Sequence, residues 1–199
     1  MSKFSWDQAF SDGAQYRPMN NFALAKILDE VPKIGKALDI GCGTGDLALQ
    51  IASFGYDVTG IDGSKVAIEN AHSKAIEAGV INHVTFIHQD IDDQDLPTGS
   101  YALITAKLVI AFIDYKKLFK KVSASLMHDG VFMVQTPLMV RDVNYPDNDE
   151  TRHLKRISVD ESELSAALNA NFKTVEILTT EYSGHWGIDK TYVAKSPSR

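Results

Sequence analysis

Three glycines stand at alternate positions in the stretch ALDIGCGTGDLAL, residues 37–49. Glycine in a packed element is costly, so Gly41, Gly43 and Gly45 need a reason that lies in the backbone or in a ligand. Glycine lets the chain turn tightly and approach a ligand, and the helix expected to follow would present free amide groups at its N-terminus. The stretch therefore predicts a ligand-binding loop, with a turn needed only for packing as the alternative.

A carboxylate follows this loop at a spacing that suits a nucleotide. Asp62 ends the next apolar run, YDVTGID, 17 residues after Gly45, where it could accept hydrogen bonds from both hydroxyls of a ribose. A dinucleotide-binding loop would carry its third glycine at position 46, but the residue there is Asp46. Ribose recognition is thus favoured over a simple turn at Asp62, and a nicotinamide dehydrogenase is disfavoured.

The elements that must position these residues alternate between strand and helix. The runs KALDI, YDVTGID, HVTFIHQD, YALITA and VFMVQT predict five strands, with helical patterns between them. Such alternation predicts a parallel sheet with helices on both faces. Ser64 is expected to cap the helix that follows the second strand. The runs FKTVEILTTEY and DKTYVAK are joined by a short link, so they predict a final antiparallel pair.

Two further local predictions concern helices near the ends of the chain. In NNFALAKILDEV, the residues Phe22, Ala25, Leu28 and Val31 share one helical face, which we expect to be buried. The stretch SVDE, which begins at Ser158, predicts a capping box for a helix near ESELSAALN.

Composition and charge exclude several classes of protein. The 199 residues carry a formal net charge of -6, which does not support broad attraction to nucleic acid or to anionic membranes. The longest apolar run, YALITAKLVIAFI, has 13 residues and is too short to span a bilayer. Cys42 is the single cysteine, which excludes an internal disulfide and fits a reducing compartment. We expect a soluble, cytoplasmic protein of one domain, monomeric or homodimeric.

That domain divides into four segments. An N-terminal arm and helix occupy residues 1–35, and the ligand-binding core occupies residues 36–136. Residues 137–157 contain two prolines and many charged residues, so they predict a lid-like insertion. Residues 158–199 are expected to form the final helix and the hairpin.

Further motifs accompany the glycine loop and Asp62. Asp90 lies in IHQDI after the third predicted strand, and LMHDG precedes VFMVQTP. Together with DIGCGTG, these motifs resemble those of class I S-adenosylmethionine-dependent methyltransferases. The resemblance implies an α/β, Rossmann-like sheet of seven mostly parallel strands with helices on both faces. It also implies an antiparallel last strand and the strand order 3-2-1-4-5-7-6.

The resemblance implies cofactor-binding roles for individual residues. The three loop glycines would let the chain pass close to the methionine part of S-adenosylmethionine, and Asp39 would meet its ammonium group. Asp62 would hold the ribose. The adenine would be contacted by Gly63, Ser64, Asp90 and Ile91. Of these, the aspartate would accept a hydrogen bond from the exocyclic amine and the isoleucine would pack on the ring. Cys42 is interpreted as a small filler within the loop.

Two residues of the N-terminal arm are further candidates for cofactor binding. Several relatives close such an arm over the cofactor, so Tyr16 could pack on it and Arg17 could pair with its carboxylate. An arm that only caps the core is an equal alternative.

Candidates for catalysis lie in segments at the carboxyl ends of the strands. Lys107 interrupts an apolar run and could reach the cofactor or the acceptor, or could simply snorkel from the strand end. His185, in the link between the last two strands, is a candidate general base, and His153 and Tyr145 of the insertion are alternatives. A base is needed only if the acceptor must lose a proton. No histidine has metal-ligand spacing, so we expect no metal.

The sequence therefore predicts S-adenosylmethionine-dependent methyl transfer to a small-molecule acceptor by in-line displacement. The arm and the insertion would cover the acceptor pocket and set substrate choice. The segment after the fourth strand departs from the family at Ala102 and Ala111, which leaves open a cofactor-binding regulatory module without catalysis. A methyltransferase acting on RNA or protein is the other alternative, and the negative charge and the lack of an NPPY-type motif argue against RNA.

Overall fold

The computed structural model describes residues 6–15, 18–33, 35–138, 159–182 and 188–198. Strands and helices alternate along most of this length, as the sequence predicts. In chain order the elements are α1 (Trp6–Ser11), α2 (Asn21–Leu28), β1 (Lys36–Ile40), α3 (Asp46–Ser53), β2 (Asp57–Asp62), α4 (Lys65–Glu77), β3 (Val84–His88), β4 (Tyr101–Lys107), α5 (Tyr115–Ser125), β5 (Leu126–Leu138), α6 (Glu161–Asn169), β6 (Phe172–Tyr182) and β7 (Ile188–Pro197).

The strands form one seven-stranded sheet in the order β3-β2-β1-β4-β5-β7-β6. Strands β1 to β5 pair with one another in parallel, and β7 runs antiparallel to both β5 and β6. The predicted strand order and the antiparallel last strand are thereby confirmed. Because β1 lies between β2 and β4, the chain leaves β1 in one direction and later returns to its other side. Ligands of open α/β sheets bind at such a switch point.

Two apolar clusters pack against opposite faces of the sheet. Alternate residues of β1 belong to different clusters: Ala37 to one, and Leu38 and Ile40 to the other. The first cluster is completed by α2, α3 and α4. The second is completed by α5 and α6, where the rings of Phe119 and Phe132 lie 5.3 Å apart. Burial on both faces explains why the central strands read as continuous apolar runs.

The predicted buried face of α2 is wrong at Phe22. That side chain is 80% exposed, and the buried positions are Ala23, Leu24, Ile27 and Leu28. The apolar residues that recur at spacings of three and four are Leu24, Ile27, Leu28 and Val31, and Phe22 falls on the opposite side of the helix from them. The helix therefore presents the next residue, and not Phe22 itself, to the core.

Two boundaries also differ from the predictions. Strand β5 continues through Pro137 and Leu138, which pair with β7, although the sequence assigned both residues to the insertion. The remainder of that insertion lies outside the described residues. Helix α6 is capped by Asp160, whose side chain accepts from the amides of Ser162 and Glu163. The predicted capping box had placed the cap at Ser158.

Within the described ranges, no helix combines the length and the apolar character needed to cross a lipid bilayer.

Candidate functional site

A cavity of about 240 Å³ opens at the carboxyl ends of β1, β2 and β4. Its wall combines the glycine loop with four carboxylates, on Asp39, Asp46, Asp62 and Asp90. Apolar side chains complete it, from α1 on one side and from the segment after β4 on the other. The sequence-predicted site residues that line it are Asp39, Gly41, Cys42, Gly43, Asp62, Gly63, Asp90, Ile91 and Lys107.

The loop after β1 requires glycine at the point where it turns. The backbone amides of Gly41 and Cys42 both donate to the carbonyl of Ile61, which ties the loop to β2. Gly41 has a φ of 66°, and a Cβ there would lie 2.5 Å from a methyl group of Val109. Any other residue would be strained and would collide with the segment after β4. The glycine therefore serves the close packing of two loops that line the cavity.

Gly45 lies outside the cavity wall, although the resemblance implies that it lies close to the methionine part of the cofactor. It caps α3 with a φ of 81°. A Cβ at this position would lie 2.8 Å from the ring of Phe86 and 3.0 Å from Ala71. Its role is thus close packing of α3 against β3 and α4, behind the cavity wall.

Asp62 joins the end of β2 to the glycine loop. One carboxylate oxygen accepts from the amide of Gly43 at 2.8 Å, and the other accepts from the amide of Ser64 at 2.8 Å. Burial raises the pKa of Asp62 above its usual value, while these two hydrogen bonds oppose the shift. A carboxylate oxygen has a second acceptor position, so Asp62 can accept further donors from inside the cavity.

Asp39 is the most deeply buried of the four carboxylates. It is 2% exposed, and the hydroxyl of Thr105 on β4 donates to it at 2.7 Å. Burial raises the pKa of Asp39 to about 7, Asp62 adds to the shift, and the nearby charge of Lys107 opposes it. A cation bound beside Asp39 would therefore favour its ionised form and be held by it.

Asp90 and Ile91 form the wall of the cavity after β3. Asp90 is exposed and accepts from the amide of Asp92, while Ile91 is buried. Lys121 of α5 fixes this turn from behind, because its ammonium group donates to the backbone carbonyls of Ile91 and Gln94, both at 2.9 Å. The turn is thus held by a cation that does not itself line the cavity.

Helix α1 forms part of the cavity wall, which sequence reasoning missed. Trp6 and Phe10 both line the cavity, and the ring of Trp6 meets that of Phe112 edge to face at 5.0 Å. Asp7 anchors the helix by accepting from the hydroxyl of Ser64 at 2.6 Å. The sequence does contain a signal for this helix, because Trp6 and Phe10 are four positions apart and would share one apolar face.

Ser64 consequently lies outside the cavity wall. Its hydroxyl caps α4 by accepting from the amide of Ala67, as predicted, and donates to Asp7. The donated hydrogen bond docks α1 onto α4, and the accepted one caps α4. The structure therefore does not bring the Ser64 side chain to the position beside adenine that the resemblance implies.

The remaining candidates differ in their placement. Lys107 ends β4, is half-buried and lines the cavity. Burial raises the pKa of the Cys42 thiol well above its usual value, which supports a filler and not a nucleophile. Five candidates lie outside the described residues, namely Tyr16, Arg17, Tyr145, His153 and His185. Among the described residues, no group of His, Cys, Asp or Glu is arranged to hold a metal ion.

Comparison with known proteins assigns the family. A family model described as a methyltransferase domain matches residues 33–191. The chain belongs to the methyltransferase domain family. The resemblance to class I S-adenosylmethionine-dependent methyltransferases is thereby confirmed.

The curated relatives of this methyltransferase domain bear the names of different proteins. A carboxy-S-adenosyl-L-methionine synthase of Nautilia profundicola is 33% identical over 130 residues, covering 63% of this chain and 50% of the relative. The uncharacterised methyltransferase YcgJ of Bacillus subtilis is 30% identical over 144 residues, which cover 68% of this chain and 56% of the relative. A sterol 24-C-methyltransferase of Gibberella zeae is 32% identical over 120 residues, covering 59% and 31%. The chain thus spans between about a third and just over half of the length of these relatives.

Solved structures share the fold. The structure of YcgJ superimposes with a TM-score of 0.67 at 25% identity, covering 81% of this chain and 72% of the other. Geranyl diphosphate C-methyltransferase from Streptomyces coelicolor gives a TM-score of 0.68 at 16% identity, covering 86% and 74%. At that identity the second match supports the fold alone.

Proposed function

We propose that the protein transfers the methyl group of S-adenosylmethionine to a small-molecule acceptor by in-line displacement. One observation carries this proposal most directly. Asp62, at the end of β2, is hydrogen-bonded to the glycine loop and faces the same cavity as Asp90 at the end of β3. A half-buried carboxylate that keeps acceptor positions free is suited to a ribose, and the second carboxylate is suited to the adenine amine.

The cavity wall fits this cofactor part by part. In the proposed arrangement Asp62 accepts from the ribose hydroxyls, Asp90 accepts from the adenine amine, and Ile91 packs on the ring beside Gly63. Asp39 holds the ammonium group of the methionine part. The backbone of Gly41, Cys42 and Gly43 lies along that part of the cofactor. Gly45 and Ser64 act from behind the wall, through their packing and hydrogen bonds. Tyr16 and Arg17 remain predicted contacts from the arm.

The charges of the wall support a ligand that is cationic overall. Of the four carboxylates on the wall, Asp46 is paired with Lys74, which leaves three carboxylates facing one cationic side chain, Lys107, among the described lining residues. S-adenosylmethionine has a sulfonium, an ammonium and a carboxylate, so its net charge is positive. Asp39 is buried, and a buried carboxylate is costly unless paired, so a bound cation would offset that cost.

The chain has a positioning role in the proposed reaction. The bound cofactor would supply a methyl group already activated by its sulfonium. The described residues orient the cofactor through Asp39 and Asp62, and α1 covers the cavity through Trp6 and Phe10. Holding an acceptor in line behind the methyl group lowers the barrier by proximity alone. Lys107, at the cavity wall, and His185, in the final link, are the proposed residues on the acceptor side.

A lid over the acceptor pocket belongs to the same proposal. The placement of α1 over the cavity supports a covering role for the N-terminal arm, and we extend that role to residues 139–157. A lid would exclude water and set substrate choice. Limited proteolysis with and without S-adenosylhomocysteine tests it, and protection of the segment by the ligand is expected. Cleavage that is indifferent to the ligand in an active enzyme would contradict it.

A small-molecule acceptor is favoured by the relatives. Two of them are named for sterol 24-C-methylation and for O-methylation in ubiquinone biosynthesis. The test is transfer of labelled methyl from S-adenosylmethionine into a fractionated metabolite extract, with Asp62→Asn as the control. Label in a small organic product, absent with the variant, is expected. Binding without transfer to any fraction would instead favour a regulatory module.

A further inference from the structure

A three-residue network stands at the N-terminus of α3, on the wall of the cavity. The ammonium group of Lys74, from α4, donates to both carboxylate oxygens of Asp46 at 2.8 and 2.9 Å, and to the hydroxyl of Thr44 at 2.8 Å. That hydroxyl in turn donates to Asp46 at 2.7 Å. The lysine reaches the loop from a helix 28 residues further along the chain. The network explains how a carboxylate is accommodated at position 46.

The network lies at the methionine end of the cavity, on the assignments of the proposed function. Asp39, proposed to hold the ammonium group, lines the cavity just before the glycine loop. Asp46, in the first turn of α3, lines the same cavity just after the loop. In S-adenosylmethionine the ammonium and the carboxylate are bonded to one carbon atom. A ligand whose ammonium lies at Asp39 therefore brings its carboxylate close to the turn that carries Asp46.

The net charge at the N-terminus of α3 decides whether the carboxylate of S-adenosylmethionine can bind there. The N-terminus of α3 attracts an anion, but the charge of Asp46 repels one. Lys74 is the cation bound to Asp46, and each side chain is 33% exposed, so their pairing is only partly screened by solvent. With the pair formed, this end of the wall presents no net charge to the ligand.

We propose that Lys74 is a positioning residue of the cofactor site and a determinant of cofactor specificity. It neutralises Asp46 and thereby lets the loop accept the carboxylate of S-adenosylmethionine. This inference rests on the proposed binding of that cofactor. It is distinct from a merely structural role, because it assigns the effect of Lys74 to one charged group of the ligand.

The experiment compares two ligands that differ in that group. Binding of S-adenosylmethionine and of decarboxylated S-adenosylmethionine is measured calorimetrically for the wild type, Lys74→Met, Asp46→Asn and the double variant. Lys74→Met is expected to weaken binding of the carboxylate ligand roughly ten-fold and of the decarboxylated ligand less than two-fold, since only the former carries a carboxylate for the unpaired Asp46 to repel. The double variant should recover most of the loss, and Lys74→Arg should bind like the wild type.

Lys65→Met is the matched control, because Lys65 also lies on α4 and pairs with an acidic residue, Glu69, away from the loop. It should leave both affinities unchanged. Equal weakening of both ligands by Lys74→Met, or no recovery in the double variant, would overturn the inference and indicate a structural role. A wild type that binds neither ligand would overturn the proposed function itself.

Discussion

The carboxylate of Asp62 accepts a hydrogen bond from the amide of Gly43, with oxygen and nitrogen 2.8 Å apart. This bond joins the end of β2 to the loop that leaves β1, so the two motifs found in the sequence form one unit. The loop amide is fixed by the same carboxylate that we propose for the ribose. A change at either residue should therefore affect both the shape of the loop and the affinity for the cofactor.

Gly41→Ala should destabilise the protein more than Gly79→Ala. Both glycines have a positive φ, of 66° and 70°, but only Gly41 has a neighbour that a Cβ would strike. The backbone strain common to both costs about 1–2 kcal/mol. The collision with Val109 should add about 1–3 kcal/mol at position 41, as overpacking does. Urea unfolding of both variants measures the difference, and equal losses would show that the two loops are not closely packed.

Asp39→Asn should remove part of the pH dependence of stability. The pKa of Asp39 is about 7 in the folded protein and about 3.9 in the unfolded chain. Between these values the folded state binds more protons, so this group makes the free energy of unfolding fall as pH rises from about 4 to 7. The free energy of unfolding of Asp39→Asn should therefore rise relative to that of the wild type, by up to about 4 kcal/mol over that range.

The measurement is urea unfolding of both proteins at several pH values between 4.5 and 8. Asp12→Asn is the control, because Asp12 is exposed and its side chain accepts from Gln8, which does not titrate. The free energy of unfolding of Asp39→Asn should rise relative to the wild type as pH increases. The free energy of unfolding of the control variant should keep a constant difference from the wild type. A constant difference between Asp39→Asn and the wild type would mean that Asp39 is ionised throughout.

Lys121→Met should weaken cofactor binding from outside the cavity. Its ammonium group holds the carbonyls of the turn that presents Asp90 and Ile91. Hydrogen bonds to a charged group contribute about 1.5–3 kcal/mol. Without them the turn should open more often, and its backbone amides should exchange with solvent faster. Lys120→Met removes an exposed lysine from the adjacent position and should have no effect. Unchanged exchange in Lys121→Met would contradict the role of Lys121.

Trp6 should report on cofactor binding through its fluorescence. Its ring lines the cavity and contacts Phe112, so a ligand placed between α1 and the segment after β4 would change its surroundings. In a Trp186→Phe background, Trp6 is the single tryptophan. Adding S-adenosylhomocysteine should shift or quench its emission, and Asp7→Ala, which removes the anchor to Ser64, should reduce the change. A spectrum that ligand does not alter would place α1 away from the site.

The sequence predicted the sheet and the centre of the site because both depend on local patterns. Alternating apolar runs specify the strands, and a glycine loop followed by Asp62 and Asp90 specifies the carboxyl ends that meet at one edge. The family resemblance supplied the order of the strands, which local periodicity does not contain.

What the sequence could not predict depends on contacts between distant residues. Gly45 and Ser64 match the motif, but whether they face the cavity depends on Phe86 and Asp7, which pack against them from other elements. The pairing of Lys74 with Asp46 depends on the angle between α3 and α4. The buried face of α2 was predicted wrongly at Phe22 for another reason, because the alternative apolar stripe through Leu24 and Ile27 is the one that meets the core.

Calorimetric binding of S-adenosylmethionine to the wild type, Asp62→Asn and Asp57→Asn tests the central claim most directly. Asp57 is the matched control, since it begins the strand that Asp62 ends. The wild type should bind with a micromolar Kd, about -7 to -8 kcal/mol. Asp62→Asn should lose about 1.5–3 kcal/mol of that, because it removes charge-assisted hydrogen bonds, and Asp57→Asn should bind like the wild type. Wild-type affinity in a folded Asp62→Asn protein would contradict the assignment of the cofactor site.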